Sequence, residues 1–276
     1  MRLAICNETF GDWPLEKAFD FAAQCGYAGI EIAPFTLSTY VTDIGAQQRA
    51  QVRQAAKKAG LEVVGLHWLL AKTEGFHLTS PDSEVRARTA GYLAELAQCC
   101  ADLGGRVLVF GSPAQRNLLP GVTKAQGMDY AAEVFERLLP ALEANDLVLA
   151  LEPLGPEETN FMNTAAEAAE VVGRLASPHV RLHLDCKAMS TEMVPMVELI
   201  RQHRAQLVHF HANDPNRRGP GFGNLDFVPI LRALQQIEYR GWVSVEVFDY
   251  TPGIEALARQ SIEYLRRCLN ELARTP

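Results

Sequence analysis

Leu149-Ala150-Leu151-Glu152-Pro153 decides how this chain is read: a short apolar run, a carboxylate, and a proline that stops the strand. The device recurs downstream. Arg181-Leu182-His183-Leu184-Asp185 ends on a second carboxylate, Val208-His209-Phe210-His211 on an imidazole, and Val243-Ser244-Val245-Glu246 on a third carboxylate. Working back from there, Leu3–Asn7, Gly29–Ala33, Glu62–His67 and Arg106–Phe110 have the same Val-, Ile- and Leu-rich character between Gly, Pro, Asn or Asp. With Val148–Glu152, Val180–Asp185, Leu207–Ala212 and Val243–Phe248 they make eight strand candidates.

Amphipathic stretches at 14–25, 46–59, 82–103, 123–144, 164–175, 190–204, 227–236 and 254–272 separate the strands. Pro14 fits a first helical position, Gly26 and Gly60 fit helix ends, and Thr164 with Glu167 reads as a capping box. Eight strands alternating with eight helices predict a parallel sheet covered by helices. The count favours a closed (β/α)8 TIM barrel, one α/β domain over residues 1–276, rather than an open sheet. So does the polar pattern. Glu31, His67, Glu152, Asp185, His211 and Glu246 all fall at C-terminal strand ends, which converge on one mouth only in a barrel. No GxGxxG follows the first strand, which removes the simplest dinucleotide-binding reading.

The net charge of −7, with no basic stripe, argues against nucleic acid as a partner. Met1-Arg2-Leu3-Ala4-Ile5 starts directly as a strand rather than a signal peptide, and no apolar run is long enough to span a bilayer. The six cysteines form no CxxC pair and no zinc-finger spacing, so reduced, buried thiols in a cytoplasmic protein are expected.

Glu152, Asp185, His211 and Glu246 stand at the ends of four consecutive predicted strands. Three carboxylates and an imidazole form a hard, mostly oxygen donor set, suited to Mn²⁺, Mg²⁺ or Co²⁺, with Zn²⁺ also open. Without a cation three carboxylates at one mouth would repel strongly. Side chains two apart on a strand point the same way, so His183 and His209 are expected one layer lower, orienting the ligands by hydrogen bonds. Glu31 and His67 lie across the mouth, placed either to contact substrate hydroxyls or to pair with each other. Lys187, with Arg217 and Arg218, reads as a candidate anion site, the alternative being a lysine opening the next helix in solvent. The segment Asn216–Gly223 reads as a lid, with Asp226 capping the helix after it. Trp13, Trp68 and Phe248 are either pocket walls or packing.

The Glu-Pro of strand five, the His-Leu-Asp of strand six, His211-Ala-Asn-Asp and Ser-Val-Glu246 resemble the xylose-isomerase-like TIM-barrel superfamily of sugar phosphate isomerases and epimerases, nearest the D-tagatose and D-psicose 3-epimerase type. The resemblance covers nearly the whole chain in layout and is specific in the four ligand motifs. It implies one metal ion, Mn²⁺ for preference, held by Glu152, Asp185, His211 and Glu246. It also implies that the two glutamates are the acid/base pair, that Glu158 and Arg217 touch substrate, and that the protein is a homo-oligomer. One position departs: a substrate-binding histidine of those enzymes is replaced by Ala188, beside Lys187.

The expected activity is therefore metal-dependent isomerisation or epimerisation of a carbohydrate, with proton transfer through a metal-stabilised enediolate. The alternative is a dehydratase of the same fold acting on a keto-inositol or dehydroshikimate-like substrate. A type IV apurinic endonuclease shares the fold but needs more histidines than the seven here and suits a less acidic surface.

Overall fold

The computed structural model describes residues 1–274. Eight parallel strands close into a barrel in sequence order, β1 (Arg2–Cys6) also pairing with β8 (Trp242–Val245). Between them run β2 (Gly29–Ile32), β3 (Glu62–Leu66), β4 (Val107–Phe110), β5 (Val148–Leu151), β6 (Val180–Asp185) and β7 (Leu207–Ala212). The outer ring is α1 (Leu15–Cys25), α2 (Ala46–Ala59), α3 (Ser83–Leu103), α4 (Lys124–Ala144), α5 (Ala165–Leu175), α6 (Cys186–Met189), α7 (Met196–Gln202), α8 (Phe227–Gln236) and α9 (Ile254–Arg274). The expected (β/α)8 barrel is present, and the strands are buried on both faces, as a helix-covered parallel sheet requires.

Two boundaries differ from the sequence reading for local reasons. The helix expected over 190–204 is two pieces. Asp185 Oδ1 accepts from the backbone N–H of Ala188 at 2.7 Å and starts a single turn, α6. Pro195 (φ −58°, ψ 140°) then caps a fresh start of the chain as α7. At α5, Thr164 Oγ1 accepts from Glu167 N at 3.2 Å, but the Glu167 carboxylate turns to Asn163 N at 2.8 Å, so the box is only half formed. The reciprocal box is at α4. There Gln126 N donates to Thr123 Oγ1 at 3.3 Å and Thr123 N donates to Gln126 Oε1 at 2.9 Å. Asp226 does cap α8, accepting from Val228 N at 2.9 Å.

The ladder shifts register between Ile30 and Glu31 and between Leu182 and His183. Such irregularities re-aim side chains, and both fall where the next residue is a buried polar group of the barrel interior. All six cysteines are buried and free. Among the described residues no helix is long and apolar enough to cross a membrane.

Gly65 allows β3 and β4 to meet. A Cβ there would lie 1.8 Å from the Val107 carbonyl oxygen, a backbone atom that cannot step aside. Gly65→Ala should lower unfolding stability by about 3 kcal/mol, as overpacking does, measured by urea denaturation; a loss under ~0.5 kcal/mol would contradict this packing.

Candidate active site

The mouth is built upward from a buried carboxylate. Glu31, at the end of β2, is 1% exposed. Its Oε2 lies 2.9 Å from His209 Nε2, and its Oε1 lies 3.2 Å from His211 Nε2. Burial alone would raise the Glu31 pKa, but His209 and His211 outweigh it and hold it well below 4.5. His211 turns its other nitrogen, Nδ1, to Glu246 Oε2 at 3.1 Å. Burial opposes charge on this ring, yet Glu246 and Glu31 carry its pKa well above 6.5. Glu246 in turn is lowered: burial acts against it, but the charge and hydrogen bond of His211 prevail.

Glu152 and Asp185 respond in the opposite direction. Burial, then Glu246 and Asp185, push the Glu152 pKa well above 4.5. Burial and Glu246 raise Asp185 to about 6, against the pull of Lys187 and His211. Asp185 Oδ2 also accepts from Asn213 Nδ2 at 2.5 Å. Glu152, Asp185, His211 and His183 present donor atoms within 4.8 Å of one another. Glu246 belongs to a second cluster, with Cys6, Glu8 and His67, also within 4.8 Å, and meets the first through its hydrogen bond with His211. The four residues singled out from the strand ends are thus brought together, with β5 and β8 stopping one residue before their glutamates.

His183 and His209 lie in the layer below, their rings stacked at 5.2 Å. His183 Nε2 is 3.6 Å from Glu152 Oε1, too far for a hydrogen bond, and burial with the neighbouring histidines lowers its pKa well below 6.5. His209 serves Glu31 rather than a carboxylate of the upper layer. His67 pairs mainly with a residue the sequence reading missed: its Nε2 is 2.8 Å from Glu8 Oε2, while Glu31 lies 3.9 Å from its Nδ1.

Lys187 is buried, not in solvent, and its Nζ donates to Glu158 Oε2 at 2.5 Å. Arg218 Nε donates to Asp249 Oδ2 at 2.8 Å. The three-cation anion site is therefore not formed: two of its members already have carboxylates. Arg217 remains, with its guanidinium 6.0 Å from the Phe248 ring and its carbonyl accepting from Phe248 N and Asp249 N, each at 2.8 Å. The expected lid is tied down by these bonds and by Asp214, which accepts from Leu225 N and Asn216 N.

Two more residues escaped the sequence. Trp68 Nε1 donates to Glu246 Oε1 at 3.1 Å, so this indole is more than a wall. Arg116 is fully buried and donates to the carbonyls of Ser112, Phe110 and Glu152 at 3.2, 2.7 and 2.6 Å. The Glu152–Arg116 contact gathers the ends of β4 and β5, and no local pattern around an arginine in a loop announces it. Trp13, by contrast, packs edge-on against Phe21 at 5.5 Å.

A narrow inner cavity is lined by Glu152, Glu246, Glu158, Lys187, His67 and Trp68. It shares Trp68, Pro113 and Phe248 with an outer cavity of about 650 Å³.

The family described as xylose isomerase-like TIM barrel matches residues 19–268. The chain belongs to that family. Within it, a probable ketose 3-epimerase of Synechocystis sp. is 26% identical over 269 residues, covering 91% of this chain and 90% of its own. A D-psicose 3-epimerase of Enterocloster bolteae is 28% identical over 245 residues, covering 88% and 79%. A D-psicose 3-epimerase crystallised in the presence of D-fructose superposes with a TM-score of 0.86 at 22% identity, covering 98% of this chain and 99% of that one. The matches to these proteins run over most of this xylose isomerase-like barrel, whose mouth carries the strand-end acids and histidines described above.

Glu31→Gln should destabilise the protein by about 3 kcal/mol, the loss expected when one partner of a buried ionic group is removed. A depressed folded-state pKa means the Glu31 contribution is complete above 4.5 and lost as pH falls through the lower folded value. Denaturation from about pH 8 down to about pH 3 should show a constant gap from wild type that narrows only below about pH 4. A gap that widens in acid would contradict the assignment.

Proposed function

We propose that the chain is a divalent-metal-dependent sugar epimerase of the ketose 3-epimerase type, with Glu152 and Glu246 as its acid/base pair. The observation that carries this reading is that both carboxylates line one narrow cavity while hanging from separate anchors. Glu246 is held by His211 Nδ1 and Trp68 Nε1. Glu152 follows β5 beside Arg116 and the bare backbone of Gly111, where a Cβ would lie 1.7 Å from Glu152 Oε2. Two independently held carboxylates serve two proton positions on a substrate between them, which is what inversion of a carbon needs. Their surroundings drive their proton affinities apart, Glu152 upward and Glu246 downward, the condition for one to give a proton and the other to take one.

The donor set fits a hard divalent ion. Beside the effect of burial, Glu246 raises the proton affinity of both Glu152 and Asp185, and Asp185 adds to that of Glu152, as carboxylates gathered for a cation do. Glu31 occupies His211 Nε2, which leaves Nδ1 turned toward the carboxylates. Glu152, Asp185, His211 and Glu246 would hold the ion, with Mn²⁺ preferred for this oxygen-rich set. When bound, it would supply Lewis-acid stabilisation of charge on the substrate's oxygens. Glu246 Oε2 then takes the proton from the carbon beside the ketone, and Glu152 returns one from the other side. Glu158 and Lys187, paired on the cavity wall, and His67, fixed by Glu8, are placed to read substrate hydroxyls. Arg217 reaches the outer rim. The ion pair of Lys187 removes the free cation that favoured a dehydratase. Reduced, buried thiols support a cytoplasmic setting, and a homo-oligomer remains the expectation from the family resemblance.

The test is proton exchange. With Mn²⁺ in D2O, a ketose such as D-fructose should acquire deuterium at C3 and its C3 epimer should appear, read by NMR. Glu246→Gln and Glu152→Gln should each slow exchange about 1,000-fold, within the range of general acid–base contributions. Dialysis against a chelator should abolish exchange and added Mn²⁺ restore it. Undiminished turnover in both glutamine variants would remove the reading.

A further inference from the structure

The outer cavity is chemically unlike the throat beneath it. Its walls include Phe35, Trp68, Phe248, Tyr250 and Ile254, and its volume, about 650 Å³, is that of a site for a drug-sized ligand. The ionisable groups suited to a sugar's reacting carbons are concentrated in the throat. In the space above it Thr9, Ser112 and Gln115 offer a few polar contacts, but most of the wall is apolar and has no partner for hydroxyls stripped of water. That space suits a flat apolar group.

The backbone points to the same place. Among the described residues seven non-glycine positions adopt positive φ, and three of them, Trp68 (54°), Lys72 (63°) and Arg217 (72°), line this one cavity. Such conformations are disfavoured for residues with a Cβ and gather at ligand sites, where surrounding structure enforces them. Here they hold an indole and two cations around the opening. Lys72 Nζ lies 4.3 Å from the Phe35 ring centre and the Arg217 guanidinium 6.0 Å from that of Phe248. Neither cation has a carboxylate partner among the described residues, unlike Lys187 and Arg218.

We propose that the preferred substrate is a keto sugar joined, through a carbon remote from the one inverted, to an aromatic group that carries an acidic substituent. The sugar enters the throat, the ring lies against Trp68, Phe35 and Phe248, and the anion meets Lys72 and Arg217. The sugar end of this assignment rests on the epimerase reading; the aromatic end rests on the outer cavity.

Deuterium exchange beside the ketone should be compared for a free ketose, a phenyl 3-keto-glucoside and its 4-carboxyphenyl analogue. The aryl-linked sugars should exceed the free ketose in kcat/KM by about 100-fold, the worth of burying one ring. Lys72→Met, on an exposed side chain, should raise KM about threefold for the carboxyphenyl compound alone. Phe35→Ala should weaken both aryl compounds and spare the free ketose. Equal kcat/KM for all three substrates, unaltered by these variants, would overturn the proposal while leaving the epimerase reading intact. If none exchanges, the epimerase reading fails. Titration with unreactive phenyl β-glucoside, followed by tryptophan fluorescence, then decides the aromatic site by itself: saturation lost in Phe35→Ala upholds it, and no saturation in the wild type removes it.

Discussion

Glu31 is the fixed point from which the charge of the mouth is set. It accepts from two histidines in a part of the barrel where no water competes. Glu246 and Glu31 together raise the proton affinity of His211, and the charge and hydrogen bond of His211 lower that of Glu246. A carboxylate held ionised at that depth then raises the proton affinity of Glu152 and Asp185. The sequence of effects runs from β2 through β7 to β8 and back to β5 and β6, so the ionisation of the mouth belongs to the closed ring of strands and to no single one. A buried charge is costly unless it is partnered, and both Glu31 oxygens are, one by His209 and one by His211.

The backbone meets the same demand differently on the side of β4 and β5. Backbone carbonyls at and beyond the strand ends need donors, and the Arg116 guanidinium supplies them, donating to Ser112, Phe110 and Glu152. Burial draws its pKa down to about 10, still a cation at neutral pH. Glycine at 111 leaves the adjacent space to the Glu152 carboxylate. The position of one catalytic candidate therefore depends on a missing side chain and on an arginine whose targets are all main-chain atoms.

This explains what could be read in advance. Strand identity was legible because burial on both faces makes each strand an uninterrupted apolar run, and the carboxylates and imidazole at the strand ends break that run conspicuously. Pairings were not legible. Glu31 and His209 are 178 residues apart, and which of two candidate partners a histidine chooses depends on register shifts of one residue at Glu31 and His183. Glu8 was hidden because β1 had ended before it and a short 3-10 turn carries it into the mouth. For Lys187 the place at the mouth was legible but the ion pair was not: its position after the strand end is local information, whereas its counter-ion Glu158 comes from the preceding βα loop.

Chemistry and selectivity consequently sit on different parts of the fold. The throat is made by strand ends whose geometry is fixed by barrel closure, whereas the outer cavity is made by the loops that follow them. Loops of this kind vary without disturbing the reaction beneath. Trp68 is the exception, since its ring lines both cavities and its N–H rests on Glu246 Oε1. Whatever occupies the outer cavity presses on the same indole that positions the proposed base. A ligand there shifts an equilibrium at Glu246 only through its differential contact with that ring, so the loop after β3 is where recognition of the outer group and movement of the proton are physically joined.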